Sequence, residues 1–211
     1  MVGAGSCWTK PMHIKLYFAP ETRAIRPRWL LEEIGQAYEL ERIDVFGEQG
    51  GSPEYKAINP YGTVPAAEID GQVMLESGAI CHWLADQFSD QHMAPSPDNA
   101  DRIVYERYMS YAVATLEPPV WLLIVHGALL SDDLRVSEIL PWATSRYTYL
   151  LSKLEQEFGD GPYLLGDQFG AADIMVGSTL MWRQDLLQGF DLLEEYVGRL
   201  KARSAYRRSV L

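Results

Sequence analysis

The chain has 211 residues, of which 18 are basic and 29 acidic, for a formal net charge of −11. That length suits one large domain or two small ones, and 47% hydrophobic with 11% aromatic content excludes a disordered chain. The acidity is spread, residues 1–88 netting −5 and residues 89–211 netting −6, so with no basic cluster neither nucleic acid nor an anionic membrane is an expected partner.

Residues 1–11 lack the apolar core and cleavage site of a secretory signal. Met12 directly precedes the first strand-like run, so the segment before it reads as a leader or misplaced start, poorly ordered. No apolar run approaches the roughly eighteen residues of a membrane span. The two cysteines, Cys7 and Cys81, form no disulfide framework or Cys-x-x-Cys pair. A cytoplasmic protein is the simplest reading.

His13–Phe18 alternates Ile14, Leu16 and Phe18, the pattern of a strand. Ala19–Thr22 is a loop. Pro27 fits a first helical turn, so a helix becomes regular near Arg26 and runs to Gly35, with Trp29, Leu30 and Ile34 inward. Tyr38–Val45 reads as a second strand and Ser52–Ile58 as a short helix opened by Ser-Pro. Asn59-Pro60-Tyr61-Gly62 is a turn cluster. Val64–Ile69 and Gln72–Leu75 are strands joined by the hairpin signal Asp70-Gly71. Ser77 caps a helix through about Phe88. The order β-α-β-α-β-β-α forms an α/β unit, and residues 89–98, polar with two prolines, read as a linker. The remainder is helical in pattern. Asp98–Gly127 is long and apolar, and Pro118-Pro119 should kink or split it. Ser137–Phe158, Ala171–Leu187 and Leu192–Arg203 follow. The fold class is therefore α/β plus all-α, with domains at 12–88 and 98–205.

Three places carry candidate chemistry. Val64-Pro65, after a turn and before a hairpin, suits a cis bond that exposes the backbone N–H and C=O of Val64. Only about 5% of X-Pro bonds are cis, and an edge-strand proline is the plain alternative. Glu76-Ser77 stands at a helix start, where free N–H groups and the hydroxyl can hold a carboxylate and Glu76 can accept from an ammonium. Plain N-capping by Ser77 is the alternative. Tyr17, Glu21, Thr22 and Arg23 lie at the end of the first strand, where α/β sheets bind ligands. Taken singly, Tyr17 reads as core, Thr22 as a cap and Arg23 as a solvated charge. Cys81 reads as a small buried hydrophobe. His13, His82, His92 and His126 have no metal-ligand or triad spacing, so no metal is expected.

The assembled order, with IKLYFAPETRAIRPRWLLEEIG, SPEYKAINPYGTVPAAEIDG, LESGAICHWLAD and PYLLGDQFGAADIMVGS, resembles a soluble glutathione transferase over about residues 12–205 and is most similar to bacterial members. The resemblance implies a thioredoxin-like first domain, a helical second domain, a homodimer, glutathione as co-substrate and a detoxifying role on hydrophobic electrophiles. Carried over by position, the Val64 backbone before Pro65 pairs with the cysteinyl part of glutathione, Glu76 and Ser77 hold the γ-glutamyl end, Thr63 lies near the same peptide, and Lys56 reaches for the glycyl carboxylate. The thiol-activating group lies near Tyr17 or Thr22. Arg23 stands where cysteine-type bacterial members carry cysteine, which argues against a mixed disulfide and for hydrogen-bond activation. A donor hydroxyl and a nearby cation both favour the thiolate, so Thr22 with Arg23 is preferred and Tyr17 is the alternative donor. Two departures stand out. Gly170 occupies the cap position before Asp173 that usually holds Ser or Thr, a weaker cap by about a few tenths of a kcal/mol. Glu117-Pro118 replaces a basic pair. Tyr108, Tyr111, Thr115 and Trp121 should shape the electrophile pocket. The alternatives are peroxide reduction, dehalogenation or isomerisation on the same thiolate, or a non-catalytic member that binds ligands or partners.

Overall fold

The computed structural model describes residues 12–211, so the expectations for residues 1–11 and for Cys7 lie outside the described residues. Four strands form one mixed sheet in the order β2-β1-β3-β4: β1 (Ile14–Phe18), β2 (Glu39–Arg42), β3 (Ala66–Ile69) and β4 (Gln72–Leu75). β1 is parallel to β2 and antiparallel to β3, which is antiparallel to β4. Between β1 and β2 runs α1 (Ile25–Ile34); α2 (Pro53–Lys56) precedes β3, and α3 (Ser77–Gln87) follows β4. The hairpin turn has φ of 48° at Asp70 and 83° at Gly71, the left-handed pair that a two-residue connection requires. Ser52 caps α2, its hydroxyl accepting from the Tyr55 N–H at 3.2 Å, with Pro53 in the first turn. The second strand is four residues long, shorter than Tyr38–Val45, because only that stretch pairs with β1.

Alternation in β1 divides the core as far as Tyr17, while Phe18, expected with Ile14 and Leu16, falls in the other cluster. Ile14 and Leu16 join Trp29, Leu30 and Leu31 of α1, Ile80 and Leu84 of α3, and the buried residues of the helical region in one continuous cluster. Tyr17, Phe18, Tyr55, Val64 and Ala66 form a smaller one.

The helical region comprises α4 (Arg102–Tyr111), α5 (Glu117–Ile124), α6 (Ile139–Glu157), α7 (Ala171–Met181), α8 (Asp191–Ala202) and α9 (Ser204–Ser209). The expected split at Pro118-Pro119 does not occur. A π-helical turn over Ala112–Leu116 leads directly into α5, and a second over Val125–Leu129 ends it, so helix continues from Arg102 to Leu129. The wider turn is where the ladder absorbs prolines that cannot donate. This corrects a second expectation: by length and composition the 28-residue helix, with a mean hydropathy of 1.4 in its best window, could cross a membrane. In the structure α4 packs on α7 and α5 on α6. The helix expected over Ala171–Leu187 stops at Met181, and a 3-10 turn over Gln184–Leu187 follows.

Every residue from Ala171 to Leu180 is buried. At the start of α7, Asp173 accepts from the N–H groups of Gly170 (2.9 Å) and Leu164 (3.0 Å) and from the Tyr196 hydroxyl (2.8 Å). The glycine has a steric reason. A Cβ at 170 would stand 2.8 Å from the Met93 carbonyl oxygen, which accepts from the Ala171 N–H at 2.8 Å. Serine would cap better but does not fit.

Candidate functional site

The strand register gathers the sequence candidates at one edge of the sheet. Tyr17 pairs with Ala66, and Ala66 with Leu75, so one row crosses β1, β3 and β4 at that edge. Thr63-Val64-Pro65 precedes the row on β3, Glu76-Ser77 follows it on β4, and the loop to Thr22 and Arg23 leaves it from β1. This is the carboxyl end of β1, where ligands of α/β sheets bind.

The Val64–Pro65 bond is cis. The backbone before it is held from behind: the Thr63 carbonyl accepts from the Tyr55 hydroxyl at 2.7 Å and from Asn59 Nδ2 at 2.6 Å, while Asn59 Oδ1 accepts from the Tyr61 N–H at 3.1 Å. Asn59 is buried. Neither Tyr55 nor Asn59 was singled out from the sequence, although the Asn-Pro turn cluster is the signal that could have pointed to Asn59. Thr63 and Lys56 are exposed.

Ser77 is the first residue of α3 and not its cap, which corrects the sequence reading; Glu76 takes the cap position, exposed, with φ of 69° and no side-chain cap bond. The Ser77 hydroxyl is instead turned to Arg26, accepting from Nη1 at 3.1 Å.

Arg26, at the second position of α1, is fully buried. Nε donates to Ser178 Oγ (2.9 Å), and Nη2 to Thr179 Oγ1 (2.8 Å) and Glu117 Oε2 (2.5 Å). Burial pulls this guanidinium below its ordinary value, and the Glu117 carboxylate opposes the shift. Glu117 is itself buried and accepts from Arg23 Nε at 2.6 Å. Arg23 lies over two indoles, its guanidinium carbon 4.5 Å from the Trp121 ring centre and 5.2 Å from that of Trp182, while a third of its side chain stays exposed. Glu117 thus joins the two arginines where a basic pair was the family expectation.

Neither candidate hydroxyl is idle. Thr22 Oγ1 donates to the Ala19 carbonyl at 2.7 Å and accepts from the Ala24 N–H at 3.2 Å. Tyr17 is buried, packs on Tyr55 with ring centres 5.8 Å apart, and donates to Glu68 Oε2 at 3.4 Å. Glu68 lies two residues into β3 from the edge row, so that hydroxyl is directed away from Val64 and Ser77. Burial pushes the Tyr17 phenol up. Cys81 is a buried free thiol, pushed up to about 12 by burial, in keeping with a packing role. Of the expected pocket residues, Trp121 meets Arg23. Tyr108 and Tyr111 instead line a small cavity of about 100 Å³ against Leu150, Lys153 and Leu154.

Residues 16–92 match the family model of the glutathione S-transferase N-terminal domain, and residues 138–202 that of the C-terminal domain. Glutathione S-transferase 3 of Schizosaccharomyces pombe is 28% identical over 170 residues, covering 76% of this chain and 70% of that protein. The structure of a ternary complex of BphK, a bacterial glutathione transferase, superimposes with a TM-score of 0.82 at 25% identity, covering 93% of this chain and 97% of that one. A sphingomonad glutathione S-transferase complexed with glutathione shares the fold, with a TM-score of 0.81 at 23% identity over 93% of this chain and 96% of that one. The two model matches together span more than half of the sequence, and the chain belongs to the glutathione S-transferase family, with a thioredoxin-like first domain and a helical second domain.

Proposed function

We propose that this chain is a glutathione transferase, acting in the cytoplasm as a homodimer, that adds the thiolate of glutathione to hydrophobic electrophiles in a detoxifying role. The observation that carries the reading is the shared edge: the Val64 backbone beside the cis bond and the Glu76-Ser77 helix start flank one row of paired residues. In this reading residues 12–88 bind glutathione and residues 98–205 supply the electrophile side. Val64 pairs with the cysteinyl peptide, Thr63 lies beside it, and Glu76 and Ser77 hold the γ-glutamyl end.

Thr22 and Arg23 activate the thiol. The Thr22 hydroxyl proton, donated to the Ala19 carbonyl, can turn about the Cβ–Oγ1 bond toward sulfur with no heavy atom moving. Arg23 adds a partly exposed positive charge, and both favour the thiolate. Sulfur then forms a bond to the electrophilic carbon, the leaving group departs with the bonding pair, and the thiol proton passes to solvent. The orientation of Tyr17 toward Glu68 supports Thr22 over it.

The test is retention on immobilised glutathione, then turnover of a chromogenic aryl halide and of a hydroperoxide. Retention with aryl halide turnover is expected, and no retention would sink the reading. Thr22→Ala should raise the pKa of the bound thiol, followed by thiolate ultraviolet absorbance. Full activity in both Thr22→Ala and Thr22→Val with loss in Tyr17→Phe would reverse the assignment.

A further inference from the structure

We infer that Arg26 is a positioning residue that fixes the Ser77 hydroxyl as a donor toward the carboxylate of the γ-glutamyl end; the inference rests on the glutathione reading above. A serine hydroxyl accepts or donates as its surroundings dictate. Here Arg26 Nη1 occupies the oxygen as donor at 3.1 Å, and a guanidinium has no acceptor to offer in return. The Ser77 proton is therefore directed elsewhere, and no hydrogen bond among the described residues uses it. It is left for an acceptor at the N-terminus of α3, where the helix also favours an anion.

The fork cannot drift, because its other donors are anchored. Ser178 and Thr179 both give their own protons to the Met175 carbonyl at 3.1 Å, so their oxygens face Arg26 as acceptors. Glu117 holds the far nitrogen. With Arg26 and Arg23 sharing one carboxylate, the group keeps one net positive charge behind an anion site in a chain of net charge −11. A lysine at 26 would keep the charge but lose the fork that reaches four side chains at once.

The experiment compares glutathione with 4-aminobutyryl-cysteinylglycine, which lacks only the γ-glutamyl carboxylate, by calorimetry on wild type, Arg26→Gln, Arg26→Lys, Ser77→Ala and the Arg26→Gln/Ser77→Ala pair. Each Arg26 variant should bind glutathione roughly tenfold more weakly, the scale of one charge-assisted hydrogen bond, and bind the carboxylate-free peptide as wild type does. The double variant should be no weaker than Ser77→Ala. Equal loss for both peptides, or losses that multiply in the double variant, would overturn the inference while leaving the glutathione reading intact. Failure of wild type to bind glutathione would overturn that reading and the inference with it. If Arg26→Gln does not fold, Arg26→Lys gives the same two-peptide comparison with the buried charge retained.

Discussion

Glu117 is the carboxylate on which two arginines depend, and Glu117→Gln tests how much the structure leans on it. The side chain is 8% exposed and accepts at 2.5 and 2.6 Å. Glutamine nearly preserves the shape and keeps one acceptor oxygen, but removes the charge. Arg23, a third exposed, recovers water. Arg26, with no exposed surface, cannot. Removing one partner of a buried ion pair costs about 3–5 kcal/mol, because the remaining charge stays unpaired. For a chain of this size that is a fall in Tm of about 6–20 °C, read by circular dichroism on heating and by urea unfolding. The same reasoning requires that Arg26→Met added to Glu117→Gln restore stability, since the stranded charge is then gone. A loss below about 1 kcal/mol in Glu117→Gln, or a double variant less stable than the single, would refute it.

Gly170→Ser should destabilise by about 1–3 kcal/mol although serine is the better cap, because its Cβ meets the Met93 carbonyl; a gain in urea midpoint would contradict this. Burial pushes the Asp173 carboxyl up to about 6 from its ordinary 3.8, against the three donors that face it. A raised carboxyl stabilises the fold below its unfolded value and loses that contribution as pH rises through the folded value, here between about 4 and 6. Wild type should therefore lose about 2 kcal/mol relative to Asp173→Asn between pH 4 and pH 6, measured by unfolding at both pH values; a constant difference would count against the assignment. Arg23→Gln should raise the pKa of the bound glutathione thiol by about one unit, and an unchanged titration would remove Arg23 from the activation.

The parts of this molecule written in local pattern were legible. Asp70-Gly71 specifies its turn by needing two positive φ angles, alternation in β1 sorts Ile14 and Leu16 from Tyr17, and Trp29, Leu30 and Ile34 are buried as helical spacing requires. The carrying segments of the family resemblance also sit where the fold needs them. What escaped is long-range. Arg26 looks like any surface arginine in IRPR, and its burial follows only from Ser178 and Thr179, some 150 positions away. Glu117 reads as a lost basic pair until Arg23 and Arg26 are seen to supply the positive charges from the other domain. Ser77 reads as a cap because the competitor for its hydroxyl lies on α1. The split expected at Pro118-Pro119 failed because a wider helical turn ahead of them lets the helix run on.

That π-helical turn has a consequence for how the site tolerates insertions and deletions. A turn carrying an extra residue sets everything after it back by about 100° around the helix axis relative to regular α-spacing. Ala112–Leu116 thus sets the heading of Glu117 and Trp121 while α4 keeps its seat on α7. Deleting one of those five residues would return the helix to ordinary periodicity and leave both side chains on their present heading toward Arg23 and Arg26. One residue lost between Glu117 and Trp121, where the spacing is regular, would instead turn Trp121 by about 100° away from Arg23.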